Sequence, residues 1–385
     1  GKGIGKAVKG TKQLLKYAIY HSNLFEDLGF KYLGPMDGHN LDELTEALMV
    51  AKMMQRPCLV HIYTKKGKGY APAEDNSGEY HGLPPKKDDD NNCKGECFTD
   101  AFGKALLSFA DKDNSIYAVT AAMKYGTGLQ HFYKAFPERF FDVGIAEQHA
   151  VTFSAGLASQ GKLPVFAVYS SFLQRSYDQL IHDCAIEKRH VVLGIDRAGF
   201  VGEDGETHHG VFDVAMLTTV PGVTVYSPSD TAELSQCLEQ ALYKDKGVVA
   251  VRYPRGCELY RSGTKAYSDF RHVSNKSRKL IFTYGRISAY AYTIHGVDVL
   301  QAIKIFPIAD EIIDICLAYD EIYAFEEGER EGGIAQKLCT ALALAGFEGR
   351  FTITAVDGFV RHADVATQLH NAMLDADGMR KITGE

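Results

Sequence analysis

The chain has 385 residues, of which 45% are hydrophobic and 24% are charged, and its formal net charge is −7. This length predicts two or three domains of an ordinary globular protein, and the negative charge argues against a general nucleic-acid-binding protein. No apolar run reaches the roughly 18 residues that span a bilayer, so no membrane contact is predicted. The eight cysteines lack the paired spacing of a secreted scaffold, which favours reduced thiols and a cytoplasmic location.

The first block of the chain, residues 1–92, has the pattern of part of an α/β domain. A helix is predicted at 41–54 and a buried strand at 58–64, before a Gly/Lys turn at 65–70. Residues 83–97 are polar and contain proline, which predicts a linker. Near the N-terminus five lysines recur at helical spacing: Lys2, Lys6, Lys9, Lys12 and Lys16. Such a pattern is more typical of a solvated helix face than of a phosphate site.

The second block, residues 93–263, alternates strands with helices. Strands are predicted at 115–120, 140–145, 164–169, 190–196, 222–226 and 247–252. The clearest helical patterns are at 147–160, 174–185 and 232–243. Apolar strands separated by helices of this length predict a parallel sheet that is covered on both faces.

The third block, residues 264–385, repeats this style. Its strands are predicted at 279–284, 297–305, 321–326 and 350–355. Only about a dozen residues connect Gly285 with Val297, which is the lower limit for a crossover between parallel strands. Either the connecting helix is short or residues are missing there.

Several polar residues follow the predicted strands, where open α/β sheets bind their ligands. Glu147 follows one strand, residues 170–175 follow another, Arg197 a third and Arg255 a fourth. Alone, Glu147 indicates no more than a favourable charge at a helix N-terminus. Phe172 follows the neighbouring strand, however, and a carboxylate beside an aromatic ring suits an aminopyrimidine. Thiamine chemistry needs this pairing, because a carboxyl group at pyrimidine N1′ favours the imino tautomer that deprotonates the thiazolium C2.

A glycine-rich run, DRAGFVGEDGETHHG, begins at residue 196 and includes Arg197, Asp204, His208 and His209. A plain turn needs none of these side chains, so the run favours a site.

Three further residues are candidates of different strength. In the run RYPRG, Arg255 is suited to binding a phosphate bidentately, whereas Arg252 is predicted to form a salt bridge. His81 precedes glycine in YHG and is a proton-transfer candidate, with a structural role equally open.

With these runs assembled, the chain resembles the 1-deoxy-D-xylulose-5-phosphate synthases of the transketolase superfamily. The resemblance rests on FEDLGFKYLGPMDGHN, TKKGKGYAPAE, FDVGIAEQHAVTF, YSSFLQRSYDQLIHD, DRAGFVGEDGETHHG, YSPSD and RYPRG, and more weakly on FEEGEREGGIA and LDADGM. It implies an α/β fold in three parts. A parallel-sheet, pyrimidine-type thiamine diphosphate domain (93–263) and a transketolase-like C-terminal α/β domain (264–385) follow a remnant of a first, diphosphate-binding α/β domain (1–92).

The resemblance also implies a reaction and its partners. The family's transferase reaction joins pyruvate to D-glyceraldehyde 3-phosphate, releases carbon dioxide and gives 1-deoxy-D-xylulose 5-phosphate for isoprenoid and thiamine synthesis. It uses thiamine diphosphate with Mg²⁺, and the family's members are homodimers. These properties are expectations for this chain.

Residue roles follow from the same resemblance. Glu147 is expected to activate the cofactor and Phe172 to stack on its pyrimidine, with Tyr70 and Lys66 also at the cofactor and His81 near the reacting centre. The substrate pocket is expected at Tyr169, Arg175, Arg197, Asp204, His208 and Arg255. Of these, His208 is also expected to be catalytic, while Arg175 and Arg255 anchor phosphate and carboxylate.

One superfamily motif has no counterpart in the sequence. The diphosphate is held through Mg²⁺ by a Gly-Asp-Gly motif and a downstream Asn, whereas the runs MDG, EDG and VDG here lack both the first glycine and the Asn. No metal ligand is therefore predicted in the chain, and the Mg²⁺ ligands are expected upstream.

Three explanations stay open for the missing motif: an N-terminal portion not included here, a truncation, or a natural split subunit. The last gives the alternative function, a non-catalytic subunit that supplies the pyrimidine half of the site to a partner chain. The β subunits of related dehydrogenases also lack the motif. They would not carry the segment from GKGY to YHG, which belongs to a fused first domain.

Overall fold

The computed structural model describes residues 24–81, 95–261, 263 and 266–385. By its contacts the chain divides into two compact units, residues 1–87 and 88–385. The predicted lysine helix at the N-terminus and most of the predicted linker lie outside the described residues.

The first unit is built on two parallel strands, β1 (Lys31–Asp37) and β2 (Cys58–Tyr63). Its helices are α1 (Leu24–Asp27), α2 (Leu41–Met53) and α3 (Ala71–Asp75), with a 3₁₀ turn at Glu79–His81. The structure confirms the predicted helix and the position of the predicted strand, but the expectation that this strand is buried was wrong, since none of its residues is buried. It adds β1, which a Gly-Pro pair concealed because neither residue is typical of a strand interior.

Helix α2 leaves its apolar side chains uncovered within the described residues. Asn40 caps the helix by accepting the N–H of Glu43 at 3.3 Å, and no residue of α2 is buried. Leu41 is 71% exposed and Met53 is 81% exposed. Since parallel sheets are normally covered on both faces, β1 and β2 with this helix do not form a self-sufficient layer.

The second unit contains two sheets. Its strands are β3 (Ile116–Thr120), β4 (Phe140–Asp142), β5 (Leu163–Tyr169), β6 (Val191–Asp196), β7 (Thr224–Tyr226), β8 (Val248–Arg252), β9 (Phe270–Val273), β10 (Lys279–Tyr284), β11 (Asp298–Ala302), β12 (Lys304–Phe306), β13 (Glu321–Glu329) and β14 (Arg350–Val356). The larger sheet has the order β12–β7–β8–β6–β5–β3–β4, and the smaller has the order β14–β13–β10–β11–β9. All pairs are parallel except those that β12 and β9 make at the edges.

Helices connect these strands. They are α4 (Phe98–Lys112), α5 (Gln130–Ala135), α6 (Glu147–Ser159), α7 (Ser170–Leu173), α8 (Tyr177–Gln179), α9 (Asp213–Leu217), α10 (Thr231–Tyr243), α11 (Ser288–Ala291), α12 (Asp310–Leu317), α13 (Ile334–Leu344), α14 (Val365–Asn371) and α15 (Ala376–Thr383). Shorter 3₁₀ turns lie at Pro137–Arg139, Gln174–Ser176, Gly202–Asp204, Glu206–His208 and Gly285–Ile287, and a π-helical turn lies at Leu180–Ala185.

The prediction of a single strand at 297–305 was wrong, because this segment contributes to two strands. Its first part is β11 in the smaller sheet, and its last part belongs to β12, which pairs antiparallel with β7 in the larger sheet. The short connection that precedes β11 is made by the turn Gly285–Ile287 and by α11. A short helix is therefore sufficient to join β10 to β11.

A single hydrophobic cluster connects the two sheets of the second unit. It includes Phe166 and Leu193 from the larger sheet and Phe282, Leu300 and Ile322 from the smaller sheet. Each such side chain contributes about 1.5–3 kcal/mol when it is fully buried. This shared core keeps the loops of the larger sheet against the C-terminal strands.

Glu326, in β13, is a buried carboxylate at the N-terminus of α13. Its Oε2 accepts the N–H of Ala335 at 2.6 Å, and its Oε1 accepts the N–H of Ile334 at 3.2 Å. Burial raises the pKa of Glu326 to about 7, although these hydrogen bonds and Arg252 act in the opposite direction.

The raised pKa predicts that stability depends on pH through Glu326. The folded protein holds this proton more tightly than the unfolded chain, so the contribution to stability is present below pH 4.5 and is lost as the pH rises through 7. Glu326→Gln keeps an acceptor oxygen and cannot titrate. Relative to this variant, we expect the unfolding free energy of the parent protein to fall by about 2 to 3 kcal/mol across that range. Urea unfolding at several pH values measures the difference, and a difference independent of pH would contradict the assignment.

Candidate functional site

The loops that follow β4, β5, β6 and β8 lie at one edge of the larger sheet, because these strands are parallel. Each loop brings one predicted residue to this edge: Glu147, Phe172, Arg197 and Arg255. The strand before Glu147 ends at Asp142, earlier than predicted, because Gly144 takes a positive φ of 74°. This turn places Glu147 as the first residue of α6, where the helix dipole favours an acid.

Glu147 is buried, with only 2% of its surface exposed. Its Oε1 accepts a hydrogen bond from Arg175 Nη1 at 2.6 Å. The same guanidinium lies over the ring of Phe172, with Cζ 4.6 Å from the ring centroid. The carboxylate and the aromatic face thus share one neighbour, and Arg175 pairs with Glu147 in this structure.

Phe172 is surrounded by other predicted pocket residues. Its ring stacks on Tyr169 with a centroid distance of 5.6 Å, and it meets the edge of His208 at 5.2 Å. The Oγ atoms of Ser170 and Ser171 are buried and have no hydrogen-bond partner among the described residues. An aromatic face near a buried carboxylate fits an aminopyrimidine, which offers a flat ring and polar edge atoms.

Arg197 lies at the centre of the substrate-side contacts. Its φ of 62° is positive, and its guanidinium lies 3.7 Å from the ring centroid of Tyr169. Nη1 donates to Gly126 O at 2.8 Å and to Asp196 at 3.1 Å, and Nε donates to Asp204 at 3.3 Å. Burial lowers the pKa of Arg197, but Asp196, Tyr169 and Asp204 together raise it above its ordinary value.

Asp204 binds a second arginine as well. Arg255 Nη1 lies 2.9 Å from Asp204 Oδ1, and Arg255 Nη2 donates to Glu203 at 3.3 Å. The side chain of Arg255 remains 35% exposed. Arg197 and Arg255 thus share Asp204, and each also pairs with a second acid, Asp196 and Glu203 respectively. Guanidinium groups bind anions with several oxygen atoms well, but an anion that reaches this cluster must compete with these carboxylates.

Two other charged residues near these loops have structural partners. Arg252 is buried and donates from Nε to Asp213 at 2.8 Å, which confirms the predicted salt bridge. His209 accepts the N–H of Val201 on Nδ1 at 3.2 Å and contacts Gln368 through Nε2. Burial lowers the pKa of His209, so this ring is neutral and structural, unlike the more exposed His208.

Three of the predicted residues lie in the first unit. Lys66 Nζ and His81 Nδ1 are hydrogen-bonded to each other. Tyr70 packs edge to face on Tyr80, with ring centroids 5.6 Å apart. The turn from Lys66 to Tyr70 is held by Glu74, which accepts the N–H of Gly69 at 2.8 Å.

Sequence reasoning missed Gly126, and it placed Ser170 and Ser171 at the sheet edge only within the segment 170–175, without a role. A Cβ on Gly126 would lie 1.7 Å from the Tyr169 hydroxyl, so the pocket needs a glycine there. The signal was the run KYGTG after a predicted strand, where two glycines indicate a close backbone approach. The serines carried no signal beyond their place in the run YSSF.

The described part of the chain has neither a membrane-spanning helix nor a metal cluster. None of its helices is long and apolar enough to cross a membrane. Among the described residues there is also no group of three or more His, Cys, Asp or Glu side chains that could hold a metal ion.

Two family models match the chain. The family described as transketolase, pyrimidine binding domain, matches residues 97–258. The family described as 1-deoxy-D-xylulose-5-phosphate synthase matches residues 1–64.

Curated relatives named 1-deoxy-D-xylulose-5-phosphate synthase align with most of the chain. The protein of Clostridium kluyveri is 47% identical over 302 residues, which cover 76% of this chain and 47% of that protein. The proteins of Caldanaerobacter subterraneus subsp. tengcongensis and Aquifex aeolicus are each 39% identical over 98% of this chain, which covers 64% and 63% of their lengths. The chain thus spans about half to two thirds of the length of these relatives.

Solved structures share the fold. A protein described as a split gene transketolase, an inactive beta4 tetramer, has a TM-score of 0.63 and 23% identity over 74% of this chain and 95% of that chain. The transketolase of Campylobacter jejuni subsp. jejuni has a TM-score of 0.62 and 14% identity over 96% of this chain and 70% of that chain. These likenesses show a transketolase-like α/β fold.

The contact of Gly126 with Tyr169 gives a testable expectation. Gly126→Ala should lower the free energy of unfolding by about 1–3 kcal/mol, because the added Cβ overpacks the pocket. Gly156→Ala is the matched control: a Cβ there meets nothing within 4 Å in α6, so that change should stabilise by about 0.5–1 kcal/mol. Adding Tyr169→Phe to Gly126→Ala should restore part of the loss. Equal unfolding free energies for the two alanine variants would show that Gly126 is not sterically required.

Proposed function

Because the chain belongs to the 1-deoxy-D-xylulose-5-phosphate synthase family, we propose that it serves the thiamine-diphosphate-dependent condensation of pyruvate with D-glyceraldehyde 3-phosphate. The product is 1-deoxy-D-xylulose 5-phosphate, and carbon dioxide is released. The chain contributes the pyrimidine side of the cofactor site and the substrate pocket.

One observation carries this proposal: an unbroken line of contacts along the sheet edge. It runs from the buried Glu147 through Arg175, Phe172, Tyr169, Arg197 and Asp204 to Arg255. At one end of this line, Glu147 offers a carboxylate near the aromatic face of Phe172. At the other end lie the two arginines, Arg197 and Arg255. A cofactor ring and a phosphorylated substrate need these two kinds of site next to each other.

Thiamine diphosphate, when bound, supplies a carbon nucleophile and an electron sink for decarboxylation. Glu147 holds a proton at N1′ of the pyrimidine, and Phe172 provides the surface on which the ring stacks. Arg175 engages Glu147 Oε1, so Oε2 is the oxygen we assign to the ring nitrogen.

The arginine end of the site binds the acceptor substrate. Arg255 and Arg197 bind its phosphate, and Asp204 sets the spacing of their guanidinium groups. His208, whose ring contacts Phe172, is assigned to proton transfer at the aldehyde oxygen. Tyr169 closes one side of the pocket against water, and Arg175 is assigned to the pyruvate carboxylate.

Further parts of the proposal rest on the family. Tyr70, Lys66 and His81 are assigned to the cofactor and the reacting centre. Mg²⁺ is proposed to bind the diphosphate through ligands in an N-terminal region upstream of this chain. We also propose a cytoplasmic homodimer and a division into residues 1–92, 93–263 and 264–385.

A second candidate is a split subunit that gives its half of the site to a partner chain without being active alone. The uncovered apolar side chains of α2, such as Leu41 and Met53, support it, because a partner layer would bury them.

The two candidates lead to the same expectation for the isolated chain. Once intact mass has verified the length of the chain, we expect that it does not turn over pyruvate and D-glyceraldehyde 3-phosphate with thiamine diphosphate and Mg²⁺. The reason is that it carries no Gly-Asp-Gly motif with a downstream Asn. Product formation measured by mass spectrometry decides this, and robust turnover would contradict the assignment of the Mg²⁺ ligands to another segment.

Glu147→Gln tests the cofactor role in the enzyme that contains both halves of the site. We expect product formation to fall by about 10²–10⁴-fold, because an amide cannot hold the proton at N1′. Glu138→Gln, an exposed acid in the turn Pro137–Arg139, is the control and should leave the rate unchanged. An unchanged rate for Glu147→Gln would remove this residue from the mechanism.

A further inference from the structure

The loop that follows β6 pairs through its backbone with Gly210 and Tyr253, and side chains from the C-terminal part of the chain hold its next residues. Glu327 Oε1 accepts the N–H of Phe200 at 2.7 Å, and Arg286 Nη2 donates to the carbonyl of the same residue at 2.9 Å. The N–H of Gly202 donates to Gln368 Oε1 at 3.3 Å. All three anchoring side chains come from the C-terminal part of the chain, while the loop belongs to the larger sheet.

Glu327 and Arg286 form a buried ion pair. Each is 6% exposed, and Arg286 Nε donates to Glu327 Oε2 at 2.9 Å, with a second bond from Nη2 to Oε1. The pair also restricts the loop sterically, because a Cβ on Gly199 would lie 2.5 Å from the carboxylate carbon of Glu327. With its positive φ of 80°, Gly199 allows the loop to approach the pair this closely.

The same pair reaches the second arginine loop. Arg286 Nη1 donates to the carbonyl of Arg255 at 3.3 Å, and the side chain of Arg255 donates to the carbonyl of Val201 at 3.2 Å. One guanidinium of the C-terminal sheet therefore fixes the backbone on both sides of the cluster that Arg197, Asp204 and Arg255 form.

We propose that Glu327 and Arg286 are positioning residues that set the distance between the phosphate-binding arginines, Arg197 and Arg255. This inference rests on the proposed function, because it assigns a purpose to the spacing of the acceptor pocket. Neither residue lines the cofactor end of the site, so their effect falls on the phosphorylated acceptor and not on thiamine diphosphate.

The fold itself does not account for this pair. Replacing a buried ion pair by well-packed apolar residues is often neutral or stabilising, since desolvation offsets the attraction. What the pair supplies beyond burial is a donor and an acceptor at fixed positions for the backbone of Phe200 and for the carbonyl of Arg255.

The first test measures the loop directly and needs no ligand. In Glu327→Gln and in Arg286→Lys, we expect amide hydrogen exchange of Phe200 and its neighbours to increase at least tenfold, with the sheets of the second unit unchanged. Arg286→Lys keeps the positive charge but loses the planar, forked arrangement of donors. It tests the same anchoring role if Glu327→Gln folds poorly. The control is Asp320→Asn, which removes the partner of Arg278 in an exposed pair on the same C-terminal sheet.

The second test measures ligand affinity by calorimetry. With both variants made in the enzyme that contains both halves of the site, the affinity for D-glyceraldehyde 3-phosphate should fall about tenfold while that for thiamine diphosphate is unchanged, and Asp320→Asn should alter neither. If the parent protein does not bind the aldehyde, the proposed function fails, and the exchange experiment still decides the positioning role. Unchanged exchange at Phe200, or increased exchange throughout the second unit, would overturn the proposal.

Discussion

The parallel register of the central strands determines where the residues of the site can lie. Tyr169 at the end of β5 pairs with Asp196 at the end of β6, and Ile195 pairs with Arg252 at the end of β8. Three loops therefore leave the sheet at the same level and in the same direction. A shift of this register would separate Tyr169 from Arg197. The contacts that Arg197 then makes with Asp204, and Asp204 with Arg255, depend on this position of Arg197.

The strand ends were predictable because apolar runs of this length read clearly in a sequence, and the rule for parallel sheets then gives the edge. This is why Glu147, Phe172, Arg197 and Arg255 were expected together. Periodicity could not show that residues 297–305 divide between two sheets, since a single apolar run carries no information about its partner strand. Nor could it show that Arg175 pairs with Glu147.

The anchoring of the loop after β6 lies beyond local patterns altogether. Glu327 and Phe200 are 127 residues apart in the chain. The sequence around a glutamate in an apolar strand does not indicate which backbone N–H its carboxylate will accept. The run FEEGEREGGIA was recognised only as a family feature. In the structure its two glutamates have different tasks, since Glu326 caps α13 while Glu327 holds the neighbouring loop.

The sharing of Asp204 between Arg197 and Arg255 affects which anions the pocket can prefer. An incoming ligand must compete with Asp204, which pairs with both guanidinium groups, and also with Asp196 at Arg197 and Glu203 at Arg255. A carboxylate substrate offers the same single charge that Asp204 does and so gains little by exchange, whereas a phosphate ester near neutral pH brings between one and a half and two charges, roughly, and three acceptor oxygens. If Arg197 and Arg255 bind the substrate as proposed, Asp204 competes with it for both side chains, and we expect the cluster to favour a dianion over a monoanion.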